Sequence, residues 1–132
     1  MTNSDAEREA ATAFLAGHPD ALQIFEAVVA ALDGVGPVSV RTTRSQVAFA
    51  SGRQFAWIWL PGRWLRRPVA ETVLSIGLGR DAGGDRFKEV LEVARGRWMH
   101  HLELRGPNEI DDEVRDWLAE AWMEAARPRK RA

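Results

Sequence analysis

Apolar residues recur at helical spacing at both ends of the chain and alternate with polar residues in between. The first helix is predicted from about Asp5 to Ala16, where Ser4 and Glu7 stand at capping-box spacing and Gly17 suits the position that ends a helix. His18-Pro19-Asp20 starts a second helix, because proline fits a first helical turn. Leu22, Phe25, Val29 and Leu32 carry it to Gly34 and Gly36. Beyond Pro37 the period changes to alternation. VSVRT reads as a strand, and QVAFA and QFAWIWL read as two strands joined at a tight Ser51-Gly52 turn. ETVLSIGL follows the loop PGRWLRRP as the next strand, and GRDAGGD reads as a hairpin connection. RFKEVLEV fits both periods, since Phe87, Val90, Leu91 and Ala94 also fall on one helix face. The hairpin turn ARGR leading into WMHHLEL favours a strand there.

The last helix has the most regular pattern. Pro107-Asn108 supplies its cap, and Glu109, Asp111, Asp112 and Glu113 suit the positive helix N-terminus. Ile110, Val114, Trp117, Leu118, Ala121 and Trp122 form one apolar stripe. The expected fold is α+β: a mainly antiparallel sheet of five or six strands joined by consecutive hairpins, with the N-terminal helices and the C-terminal helix packed on one face. Residues 1–17 are expected as an N-terminal helical segment, 18–126 as a single domain and 127–132 as a basic tail.

Composition fits one globular domain, with 132 residues, 45% apolar and 28% charged. The chain has no cysteine, which excludes a disulfide framework and points to a reducing compartment. The acidic start MTNSDAEREAATAFLAG lacks the form of an export signal. No stretch approaches the roughly 20 apolar residues that span a bilayer. A cytoplasmic protein without a membrane partner is expected. The net charge of −1 conceals +6 between Pro37 and Leu102 and −7 in the flanks. Sixteen of the 18 basic residues are arginine, which suits planar recognition of carboxylate or phosphate, unless a genome-wide preference for arginine accounts for it.

Alternation also sorts strand residues into two faces. Small and aliphatic Ala48, Ala56, Ile58 and Leu102 are expected beneath the helices. Phe49, Phe55, Trp57, Trp59, Met99 and His101 would then form an aromatic outer face bordered by arginines, unless loops such as PGRWLRRP cover it.

Candidate chemistry is sparse. His100 and His101 are adjacent in a strand, face opposite ways and cannot share one metal without a bulge, so neither metal nor cofactor is expected. His101 beside Glu103 has the chemistry of an acid, a base or an anion ligand. The glycines from Gly77 to Gly84 lack the ending of a phosphate loop. Ser45 and Ser75 have no base visible in the sequence, so no catalytic residue is assigned. RTTRSQ offers Arg41, Arg44 and Gln46, PGRWLRRP offers Arg63 and Trp64, and Lys88 adds a further cation. Such donors grip phosphate or carboxylate, and arginine interleaved with tryptophan suits single-stranded nucleic acid. The acidic helices oppose tight duplex binding.

HPDALQIFEAV, VSVRTTRSQVAFASGRQFAWIWLPGRWLRRP and RFKEVLEVARGRWMHHLELRGPNEIDDEVRDWLAEAW together resemble the bacterial domain-of-unknown-function family number 5655. The resemblance covers roughly residues 14 to 126, and RWMHHLELR is its most specific part, with Lys88, Arg97, Trp98, His100, His101 and DDEVRDWL among the matching positions. It implies a small α+β domain of unassigned activity, found alone or joined to other modules, with a hairpin at RFKEVLEV. The order of elements is similar to frataxin-like sandwiches and iron-chaperone-like domains. Those handle iron on acidic surfaces, and only the start of the C-terminal helix is comparable here, so that function is not carried over.

The residues and the resemblance together suggest an uncharacterised binding module. Its candidate ligand residues are Arg41, Arg44, Gln46, Trp57, Trp59, Arg63, Trp64, Lys88, His100 and His101. The expected partner is an anionic or aromatic small molecule, single-stranded nucleic acid or a protein. Two alternatives stay open: an enzyme centred on His101 with nearby arginines, and a structural domain whose aromatic face is a homodimer interface.

Overall fold

The computed structural model describes residues 3–60 and 72–127. Helices α1 (Asn3–Leu15) and α2 (Pro19–Asp33) precede strands β1 (Ser39–Thr42), β2 (Gln46–Ala50), β3 (Gln54–Trp59) and β4 (Thr72–Leu78). Strands β5 (Glu89–Ala94) and β6 (Arg97–Leu104) follow, and α3 (Asp112–Ala126) closes the order. The α+β class and the antiparallel sheet are as expected, RFKEVLEV holds a strand, and all six strands join one sheet in the order β1-β2-β3-β4-β6-β5. Among the described residues no helix is long and apolar enough to cross a membrane.

Helix α2 begins with Pro19 in its first turn and buries Ile24, Phe25, Val28 and Leu32 against the sheet, with the Phe25 ring stacked 5.8 Å from Phe49. Helix α1 buries Ala11 and Leu15 completely. Its Glu7 does not complete a capping box. Instead Oε1 of Glu7 accepts the Val40 N–H at 2.9 Å, so α1 fills a backbone vacancy on the β1 edge of the sheet.

The cap of α3 lies three residues beyond the one expected. Pro107–Glu109 form a short 3-10 turn, and Asp111 in extended conformation is the N-cap, its carboxylate accepting the Val114 N–H at 3.2 Å. Trp122 donates its indole N–H to the Pro37 carbonyl at 2.8 Å. A Cβ at Gly36 would stand 2.3 Å from that indole, so glycine is required for the approach.

The segment read as a hairpin is a crossover, because β6 lies between β4 and β5. It returns along α3 in the antiparallel sense, meeting helix partners in descending order. Gly79 N–H donates to Glu124 at 2.9 Å, and Arg80 makes two 2.9 Å bonds to Glu120. Arg86 donates to Asp111 and Glu113, both at 2.9 Å, and to the Glu109 carbonyl. Phe87 then packs 4.5 Å from Trp117 and 4.7 Å from His100.

Register corrects the two faces. Val47 pairs with Ile58 and Phe49 with Ala56, and cross-strand partners share a face. Val47 and Phe49 therefore lie under the helices, whereas Ala48 pairs with Trp57 on the opposite side. The ladder passes from Phe49–Ala56 to Ala50–Gln54 and skips Phe55, a bulge whose ring joins the core at 2% exposure. Ala48 and Phe49 thus exchange faces relative to the expectation, and Phe55 leaves the aromatic face. Ala56, Ile58 and Leu102 lie in the core as expected.

Candidate functional site

One row of paired residues crosses all six strands on the face opposite the helical core: Arg41, Ala48, Trp57, Ser75, His101 and Glu89. A parallel row holds Gln46, Trp59, Val73 and Glu103, and Met99 pairs with Gly77 in the next. The two central tryptophans are bordered by Ala48, Ser75 and Gly77, residues too small to hold the indoles upright. Trp59 pairs with Val73, yet its Nε1 reaches diagonally to Ser75 Oγ at 3.1 Å. Trp57 pairs with Ser75, and a Cβ at Gly77 would stand 3.8 Å from its ring. Both indoles lean one row along β4 in the same sense, and each N–H is spent internally, that of Trp57 on Gln54 Oε1 at 3.1 Å. Ala48 and Ser75 are buried, while the rings stay half-buried. The result is an anchored aromatic platform.

Ser75 joins that platform to His101, with Oγ 2.7 Å from Nδ1. An indole N–H can only donate, so Ser75 Oγ accepts from Trp59, and the tautomer of His101 sets the direction of the bond to Nδ1. Burial holds the His101 pKa below its ordinary 6.5, against the opposing pull of Glu89, and the nearby His100 adds to the lowering. The imidazole and the Trp59 ring meet in a T-shaped arrangement, with ring centroids 6.2 Å apart.

Helix α1 borders this face at the β1 side. Ala6 and Ala10 form one wall of a cleft of about 540 Å³, opposite Arg41, Ala48, Ala50 and Gln54. Ala48 is the cross-strand partner of Trp57 and Gln54 holds its indole, so platform and cleft are contiguous. Arg41 is exposed there and pairs with no acid among the described residues. This arrangement has the chemistry to stack a planar group and hold an anion beside it.

Of the residues singled out from the sequence, Arg41, Gln46, Trp57, Trp59 and His101 converge on this face. Arg44 is exposed at the tip of the β1–β2 turn, closed by Thr43 N–H to the Gln46 carbonyl at 2.8 Å. Lys88 borders the far side and pairs with Glu103 at 3.4 Å. His100 is not part of the site. It is fully buried on the helical side, its Nδ1 3.2 Å from the Ile76 carbonyl and its Nε2 accepting the Ala82 N–H at 3.0 Å. Arg63 and Trp64 lie outside the described residues. Ser75 and Gln54 are the additions. Nothing in the sequence marks them, because each acquires its partner across strands or around the bulge.

Among the described residues no group of three or more histidine, cysteine, aspartate or glutamate side chains could hold a metal ion. No curated protein and no solved structure matches the chain. Residues 11–125 match the family described as a domain of unknown function, DUF5655, and the chain belongs to that family.

Proposed function

We propose that this domain is a binding module whose outer sheet face takes a planar, anionic ligand of the nucleotide class. The support is one observation: two indoles held in place by their own N–H bonds lie beside a cleft that contains Arg41. Because the indole N–H groups are already bonded, the rings offer π surface rather than hydrogen bonds, which suits a base and tolerates several. Arg41 then pairs with the phosphate, and His101 borders the other side of the platform. A single nucleotide fits the charge better than a long strand does, since the net charge of −1 supplies no long-range attraction to a polyanion. The cysteine-free composition fits a reducing, bacterial cytoplasm, and we infer that setting as well.

A second reading, acid–base chemistry at His101, rests on the 2.7 Å contact with Ser75. It is the weaker of the two. Ser75 is 4% exposed and its oxygen is engaged by Trp59, so the serine orients the imidazole rather than attacking a substrate.

Titration of the full chain with adenosine monophosphate, followed by tryptophan fluorescence, tests the binding reading. Saturable quenching is expected, with affinity reduced about tenfold by Trp57→Ala, in line with stacking worth ~1–3 kcal/mol per base. Arg41→Gln should weaken the nucleotide and leave adenosine unaffected. Absence of saturable quenching by either compound, with the fold intact by circular dichroism, would overturn the proposal.

A further inference from the structure

A second cleft, of about 250 Å³, lies where one end of the sheet meets the C-terminus of α3. Three arginines from three different elements line it: Arg53 from the β2–β3 turn, Arg97 from the start of β6 and Arg127 at the C-cap of α3. None of them pairs with an acid among the described residues. Glu124 also lines the cleft, but one oxygen of its carboxylate is taken by the Gly79 N–H at 2.9 Å.

Packing sets this arrangement before any ligand arrives. Gly52 has a φ of +137°, and a Cβ there would stand 2.6 Å from the Ala125 carbonyl oxygen, so the β2–β3 turn seats its backbone directly on the end of α3. Ser51 adds a hydroxyl bond of 2.7 Å to the Trp122 carbonyl, and Arg53 donates to the Glu124 carbonyl at 3.1 Å. Arg97 instead donates to the sheet, at 3.4 Å from the Gln54 carbonyl. A helix C-terminus carries roughly half a negative charge, so even with Glu124 it does not balance three guanidinium groups. Each guanidinium has five N–H donors, and Arg53 and Arg97 spend one apiece among the described residues.

We propose that this cleft is an anion site for a phosphate group. Guanidinium groups approaching from three elements suit the several oxygens of a tetrahedral dianion, whereas a planar carboxylate is filled by a single guanidinium fork. The site is distinct from the cleft that contains Arg41, and it stands whether or not a nucleotide occupies the platform. The two clefts adjoin, since Gln54 lines both and Gly77, beside the Trp57 ring, lines this one. The phosphate therefore belongs either to a separate small compound or to the far end of the platform's own ligand.

Addition of sodium phosphate to the full chain, with sodium chloride at matched ionic strength as the reference, tests the site through the nuclear magnetic resonance of its backbone amides. Saturable, phosphate-specific shifts are expected at Gly79, Gly96 and Arg97. Arg97→Gln and Arg127→Gln should each weaken phosphate about tenfold, the loss of one charge-assisted bond. Arg95→Gln, which removes the same charge outside the cleft, should leave it unchanged. Circular dichroism establishes that the variants are folded, and the exposure of Arg127 keeps that substitution usable if Arg97→Gln is not folded. Adenosine 3′,5′-bisphosphate separates the two sources. Tighter binding than the 5′-monophosphate, lost in Arg97→Gln, assigns the site to the platform's ligand, and equal binding assigns it to a separate compound. Equal shifts with chloride, or a phosphate affinity that the folded Arg97→Gln and Arg127→Gln variants retain, overturn the proposal.

Discussion

The Ser75 hydroxyl ties two neighbours together on the outer face: Trp59 donates to its oxygen at 3.1 Å, and His101 Nδ1 lies 2.7 Å from it. Burial lowers the His101 pKa, and the charged groups nearest in the sheet are Glu89 across one strand and the Lys88–Glu103 pair beside it. A folded-state pKa below 6.5 means the unfolded chain binds more protons just below that value, so the contribution of His101 is complete above pH 6.5 and is lost as pH falls through the depressed folded pKa. Urea unfolding across this range should therefore show stability declining with acid, and His101→Gln should flatten that part of the profile. An unchanged profile in the variant would show that another group titrates there. His101 was legible as a candidate from its place in an alternating strand. Its partner was not, because Ser75 lies 26 residues away and meets it only through the β4–β6 register.

At the scale of elements, the change of period at Pro37 is enough to separate helices from strands, since apolar spacing reports directly which side of an element is buried. What spacing omits is adjacency. The choice of Ala48 as an inner residue follows from its small size, which suits close approach of a helix, whereas the register places it against Trp57 on the outer face. The position of β6 inside β5 is likewise set by contacts between the crossover and α3, which no local pattern carries. Asp111 concentrates these contacts, because it caps α3 and also accepts from Arg86. The Arg86 guanidinium holds the Asp111 carboxyl below its ordinary range, with the Val114 N–H acting in the same direction. Asp111→Ala should lower unfolding stability by about 1 to 2 kcal/mol, the range of a lost N-cap. Asp112→Ala should cost less, since Asp112 is fully exposed and only 3.7 Å from Arg115. Chemical denaturation of the two variants checks the order, and a larger loss for Asp112→Ala would contradict this account of the helix start.

For the molecule as a whole, the sequence suggested a basic middle between acidic flanks, and folding brings the two together. Arg80 and Arg86 are taken up by acids of α3, Arg53 donates to the Glu124 carbonyl and Arg97 to the Gln54 carbonyl. Part of the positive charge is therefore offset by α3, and the described face retains Arg41 beside the platform and Arg44 at the neighbouring turn. This favours a small ligand with one anionic group over an extended polyanion. The same arrangement leaves the indoles of Trp57 and Trp59 as the natural reporters of occupancy, with Trp117 and Trp122 on the far side of the sheet as internal controls. The most direct test is the nuclear magnetic resonance of the indole Nε1–H groups during addition of adenosine monophosphate, with each signal assigned by a Trp→Phe variant. Saturable shifts are expected at Trp57 and Trp59 while Trp117 and Trp122 stay in place. Shifts confined to Trp117 and Trp122, or no movement at Trp57 and Trp59 in the folded protein, would contradict nucleotide binding on this face.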